Sequence, residues 1–180
     1  MKRHIALLRG INVGKARRVA MADLRALMEG LGHANVRTLL NSGNAVFDAK
    51  AGSTATHAKQ LRAAILGKTG VDCEVIVKTA ADLAAAIAEH PLRRHAVDDA
   101  RTLVMFTQDA ASLALLEPLE DGDWAPEAFA VGQHAAWLWC ANGIIESRIA
   151  KAATKVLVAR GTARNWATVE KLQAMVVSDA

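Results

Sequence analysis

The chain has 180 residues, 52% of them hydrophobic and 22% charged, with a formal charge of +4. That balance excludes a disordered chain, and no apolar run is long enough for a spanning helix. Two isolated cysteines, Cys73 and Cys140, fit reduced buried thiols better than a disulfide framework, so the expected location is the cytoplasm.

In chain order, His4–Leu8 predicts a short strand, and residues 10–20 form a polar, basic loop. Met21, Leu24, Leu27, Met28 and Leu31 fall at helical spacing, with Gly30 and Gly32 ending that helix. Val36–Leu40 and Ala45–Asp48 predict two strands joined by the turn Asn41-Ser42-Gly43-Asn44. A helix over Ser53–Leu66 and a strand over Cys73–Val77 complete a β-α-β-β-α-β order. Ala80–Glu89 predicts a helix stopped by Pro91. Residues 94–100 read as a polar linker and set the expected boundary between subdomains 1–93 and 94–180.

After the linker, Thr102–Phe106 predicts a strand and Ala110–Glu117 a helix, followed by an acidic loop over residues 118–126. Ala128–Val131 and Ala135–Cys140 predict a hairpin around Gly132-Gln133. Ile149, Ala152, Ala153, Val156 and Leu157 share one helical face. A last helix is expected from about Asn165 to Val177, with Thr162 or Asn165 as its N-cap. The fold class is therefore α+β, with two similar ferredoxin-like βαββα(β) subdomains and additional C-terminal helices.

Charge is unevenly spread. Residues 1–22 carry six Lys and Arg and no acid, and residues 147–169 carry five and no acid, while residues 98–127 hold eight acids against Arg101 alone. The loop Arg9-Gly10-Ile11-Asn12-Val13-Gly14-Lys15, extended by Arg17 and Arg18, joins glycines to cations, a combination suited to an anion. The same residues also fit a structural crossover whose glycines serve backbone geometry. Neither a Walker loop nor a dinucleotide fingerprint is present, and no cofactor is implied. Asn41, Ser42 and Asn44 would add hydrogen bonds to a ligand there, or simply shape a turn. Arg164 and Asn165 would complete the candidate pocket, or only open the last helix.

Arg148, Lys151 and Lys155 share one helix face, suited to phosphates or simply to solvent. The six histidines show no metal-ligand spacing and read as surface or hydrogen-bonded residues. Trp137 and Trp139 read as filling a core or a subdomain face.

Leu7-Leu8-Arg9-Gly10-Ile11-Asn12-Val13-Gly14, Val36-Arg37-Thr38, Asn41-Ser42-Gly43-Asn44-Ala45-Val46-Phe47 and Thr162-Ala163-Arg164-Asn165-Trp166-Ala167-Thr168-Val169 together resemble the family known as domain of unknown function 1697. The resemblance implies bacterial cytoplasmic proteins with paired ferredoxin-like subdomains, and no activity. Two departures stand out. Lys15 replaces a family glycine, and Ser147-Arg148-Ile149 replaces a Ser-Lys-Leu.

Three functions remain open at this point. The first is a binding module for a phosphorylated small molecule or nucleotide, with nucleic acid less supported because aromatic residues are few. The second is an enzyme acting on a phosphoester or acyl substrate in the same pocket, with Ser42 or a bound water as nucleophile. The third is a homo-oligomeric or partner-binding protein without a ligand.

Overall fold

The computed structural model describes every residue except 15, 16, 96, 179 and 180. Its elements run β1 (Lys2–Leu8), α1 (Met21–Gly30), β2 (Ala34–Leu39), β3 (Asn44–Ala49), α2 (Thr54–Thr69), β4 (Val75–Thr79) and α3 (Ala80–Glu89). They continue with β5 (Thr102–Thr107), α4 (Ala110–Ala114), β6 (Ala128–Val131), β7 (Ala136–Trp139), α5 (Arg148–Leu157), β8 (Gly161–Asn165) and α6 (Trp166–Val177). The protein is thus α+β, with two four-stranded sheets ordered β2-β3-β1-β4 and β6-β7-β5-β8. All pairings are antiparallel.

Two compact units result: Met1–Ala80 with Ala174–Ala180, and Ala81–Gln173. The division falls before α3, earlier than the expected boundary at residue 94.

In the first unit, β1 alternates so that His4, Ala6 and Leu8 share the face carrying Phe47 and Val77. Leu24 and Met28 of α1 and Leu61 and Ile65 of α2 join that face in one core. The helix periodicity read from sequence therefore becomes a packed layer on one side of the sheet. Ser53 caps α2 by accepting from the Thr56 amide at 3.1 Å. Gly43 must be glycine. Its φ is +84°, and a Cβ there would stand 2.7 Å from Leu8 Cβ and 2.8 Å from Ile11 Cδ1.

This unit also holds the last residues of α6. Arg3 donates to Asp48 through two nitrogens, at 2.9 and 3.2 Å, and to the Val176 carbonyl at 3.0 Å. Arg37 donates to the Met175 carbonyl and to Ser178 Oγ. Two cations thus meet the C-terminal carbonyls of a helix, the end that carries partial negative charge.

In the second unit, Leu138, Met105, Leu113, Ile149, Ala153 and Leu157 form the core on the helix side of the sheet. Trp137 and Trp139 are both buried. Within the expected acidic loop, Glu117–Asp121 coils into a 3₁₀ turn.

One expectation needs correction. Residues 161–165 were expected to lead into a helix, but they form strand β8, paired along β5 from Leu103↔Asn165 to Thr107↔Gly161. The segment Gly-Thr-Ala-Arg-Asn has no strand-like apolar alternation, and its strand character comes from its neighbour. The capping role of Asn165 does hold: its Oδ1 accepts from the Thr168 amide at 3.0 Å and from Thr168 Oγ1 at 2.6 Å.

Candidate functional site

The basic loop of the first unit leaves the sheet between two neighbours. The Leu8 amide donates to the Gly43 carbonyl at 2.8 Å, and the Arg9 amide to the Glu74 carbonyl at 2.9 Å. Beyond them, Gly10, Asn12, Gly14 and Arg17 all take positive φ, so the backbone doubles back sharply.

Asn12 holds the loop in shape. Its Oδ1 accepts from the Val19 amide at 2.9 Å, and its Nδ2 donates to the carbonyls of Val19 at 2.8 Å and Asn41 at 2.7 Å. The Asn12 amide donates to the Arg17 carbonyl at 3.0 Å. Ile11, 3% exposed, anchors the loop from below. The loop and the β2–β3 turn therefore form one body. Asn12 was expected to contact a ligand, but its carboxamide is occupied by protein groups.

Around this body, Arg17, Arg18, Asn41 and Ser42 are exposed and Arg9 is half-buried. Arg17 donates to the Asp72 carbonyl. Arg62 pairs with Asp72 at 2.7 Å and Glu74 at 2.8 Å. The Arg62 hydrogen bond, with help from the charge of Arg17, holds the Asp72 carboxyl below its usual range. Two carboxylates thus partly offset the cations. Helix α1 starts directly after the loop, and its N-cap, Ala20, provides no side-chain cap.

Ser42 Oγ accepts from Asn44 Nδ2 at 3.0 Å, and the same nitrogen donates to the Leu39 carbonyl at 2.9 Å. Asn44 is fully buried and shapes the turn from within. Lys15 lies outside the described residues.

Arg164 and Asn165 belong to the second unit. Arg164 is 8% exposed and donates to Thr162 Oγ1 and the Ala163 carbonyl, both at 2.8 Å. Burial pulls its guanidinium down to about 10. On α5, Arg148 donates to the Ala125 carbonyl at 3.0 Å and lies 5.9 Å from the centre of the Trp124 ring, so it is tied to its own unit.

Several features escaped the sequence reading. His4, His33 and His57 are buried, grouped about Phe47, and of the three His4 is hydrogen-bonded, its Nδ1 lying 2.8 Å from the Lys2 carbonyl. Ring centroids lie 5.3 Å apart for His4–His57 and 5.2 Å for His33–His57. His33 Nε2 and both His57 nitrogens lack hydrogen-bond partners. Two signals were present: His4 alternates with Ala6 and Leu8, and His57 precedes Leu61 by one helical turn. Burial, then the neighbouring imidazoles, lowers the affinity of His33 for a proton, and burial with His4 does the same for His57. Among the described residues, no group of three or more His, Cys, Asp or Glu is arranged to hold a metal ion.

In the second unit, Glu127 is 8% exposed, and its Oε2 accepts from the amides of Arg148 at 3.0 Å and Ile149 at 3.1 Å. Glu89 accepts from the amides of Gln133 and His134 and so holds the β6–β7 turn.

No helix is long and apolar enough to cross a membrane among the described residues. No curated protein matches the sequence. A solved structure, that of the conserved bacterial protein SP0830 from Streptococcus pneumoniae, is similar with a TM-score of 0.80 at 24% identity. The match covers 97% of this chain and 98% of that one, and supports the fold. A family model described as protein of unknown function (DUF1697) matches residues 1–137, which include the basic loop and the Asn41–Asn44 turn. The chain belongs to the DUF1697 family.

Proposed function

We propose that the first unit binds a phosphate-bearing small molecule at the end of its sheet where the basic loop meets the β2–β3 turn. The observation that carries this reading is the start of α1. A helix N-terminus without a side-chain cap follows directly on a loop bearing exposed Arg17 and Arg18. Unpaired N–H groups and cations together favour an anion. Asn41 and Ser42 are exposed on the turn that Asn12 ties to this loop, so they would face the ligand without a large ordering cost.

A small ligand suits the site better than a nucleic acid. None of the seven aromatic residues is exposed, so the surface offers no platform for base stacking. Ser42 is engaged by the Asn44 carboxamide, which is not a base, and no catalytic step is assigned to it. We read the sheet order β2-β3-β1-β4, with its split β-α-β connection, as a ferredoxin-like arrangement repeated in the second unit. Free, buried Cys73 and Cys140 support a cytoplasmic location.

The test is thermal unfolding of the full chain with inorganic phosphate, nucleotides and sugar phosphates. A bound ligand at a hundred times its dissociation constant adds about 2.7 kcal/mol. The double variant Arg17→Ala, Arg18→Ala should weaken binding about tenfold or more, and raising salt should weaken it in the parent. A shift that survives the double variant unchanged would sink the assignment, as would no shift with any phosphate compound.

A further inference from the structure

The second unit carries an apolar groove that the loop site does not use. Leu103 and Met105 of β5, Ala163 of β8, and Ala150, Lys151 and Thr154 of α5 line it, with Ile144, and its volume is about 480 Å³. That lies within the range of small-molecule sites, about 300–1,000 Å³, and the mixture of an apolar wall with few polar groups is typical of them.

The first unit shows why the groove is open. In the matching sheet order, β4 corresponds to β8 and α2 to α5. There, α2 packs directly on β4, and Leu61, Ile65, Val75 and Val77 fill the seam. In the second unit the helix has 10 residues instead of 16, and the seam is lined by Ala150 and Ala163. Small side chains on both walls leave a cleft above Leu103 and Met105, which are 7% and 4% exposed.

Charge decides what fits there. Among the residues that line the groove, Lys151 is the one that carries a charge. The nearest carboxylate to the rim lysine is Glu146, 3.8 Å from Lys151 Nζ, and both side chains are mostly exposed. Such a pair holds weakly, so the ammonium is free to turn to a better acceptor. Thr154 adds a hydroxyl on the same rim, one turn along the helix from Lys151.

We propose that this groove binds a medium-chain alkyl carboxylate. Its chain lies along Leu103, Met105, Ala150 and Ala163, and its carboxylate accepts from Lys151 Nζ and Thr154 Oγ1.

Calorimetric titration of the full chain with hexanoate, octanoate and decanoate, and with 1-decanol, tests this. Affinity should rise roughly two- to fourfold for each added methylene. Lys151→Glu should weaken decanoate about tenfold and leave 1-decanol unchanged. Ala163→Phe should fill the groove and abolish binding. Because that change could disturb the sheet, Thr154→Trp, made from the exposed face of α5, should block the mouth in a folded protein. A flat chain-length series would overturn the proposal, and so would decanoate binding that survives both blocking variants. Equal affinity for decanol and decanoate, with no effect of Lys151→Glu, would overturn the headgroup assignment.

Discussion

Two buried imidazoles, His33 and His57, should make this protein sensitive to acid. His33 and His57 both have their proton affinity lowered, chiefly by burial. A histidine whose folded pKa lies below its unfolded value contributes full stability above the unfolded value. That stability is lost as pH falls through 6.5 and then through the lower folded value. Each group can contribute a slope of up to about 1.4 kcal/mol per pH unit within that window. Urea midpoints measured from pH 8 to pH 5 should therefore fall, and His57→Phe should flatten the curve. A midpoint independent of pH over this range in the parent would contradict the reading. Asp48 acts lower on the scale. Its hydrogen bonds from Arg3 hold its carboxyl below 3.8, so its contribution persists until pH falls below that value. The apolar faces carrying His4 and His57 can be read in the linear sequence, but the meeting of positions 4, 33 and 57 cannot, because they come together only once the sheet and α2 have formed. Asn12 was singled out as a ligand contact, and the sequence could not tell such a contact from the internal tie its carboxamide makes.

At the scale of elements, the sequence was most legible where a segment dictates its own structure. The period of α1 and the Asn-Ser-Gly-Asn turn are local instructions, and each appears in the fold. Strand β8 was not legible, since its five residues become a strand only by pairing with β5. Helix α5 shows the same dependence on distant residues. Ser147, its own N-cap, accepts from the Ala150 amide at 3.1 Å, while Glu127, twenty residues earlier, accepts from two further amides of the first turn. Ser147→Ala should cost about 1 kcal/mol. Glu127→Ala, which leaves one buried and one part-buried donor unmet, should cost about 2–4 kcal/mol. Denaturant melts of both variants check the order, and a larger loss for Ser147→Ala would show that the distant carboxylate matters little.

For the molecule as a whole, the informative contacts are those that gather residues 174–178 into the first unit. Arg3 reaches both Asp48 and the Val176 carbonyl, so one guanidinium joins β1, β3 and the end of α6. Replacing it with methionine leaves the nearly buried Asp48 carboxylate without its cation, with only Asn35 still donating to it, and leaves the Val176 carbonyl unmet. Arg3→Met should cost about 3 kcal/mol, and hydrogen exchange should quicken first at residues 174–178. If exchange there stayed as slow as in the parent, the tie would be ornamental. The two similar halves could be anticipated from the order of predicted strands, apart from β8, the fourth strand of the second sheet. The return of residues 174–178 to the first unit could not, because nothing in their composition names a partner.

That return has a cost in time as well as in free energy. The bond from Arg3 to Val176 spans 173 positions, and closing a loop of that length costs about 4–5 kcal/mol of chain entropy beyond the constant term. Pairing of β1 with β3 encloses fewer than fifty residues and should come much earlier. The first sheet should therefore assemble with Arg3 and Arg37 still facing water, and lock only when the distant segment arrives. Refolding followed by pulsed hydrogen exchange would show β1 and β3 protected in an early phase and the last turn of α6 in a late one.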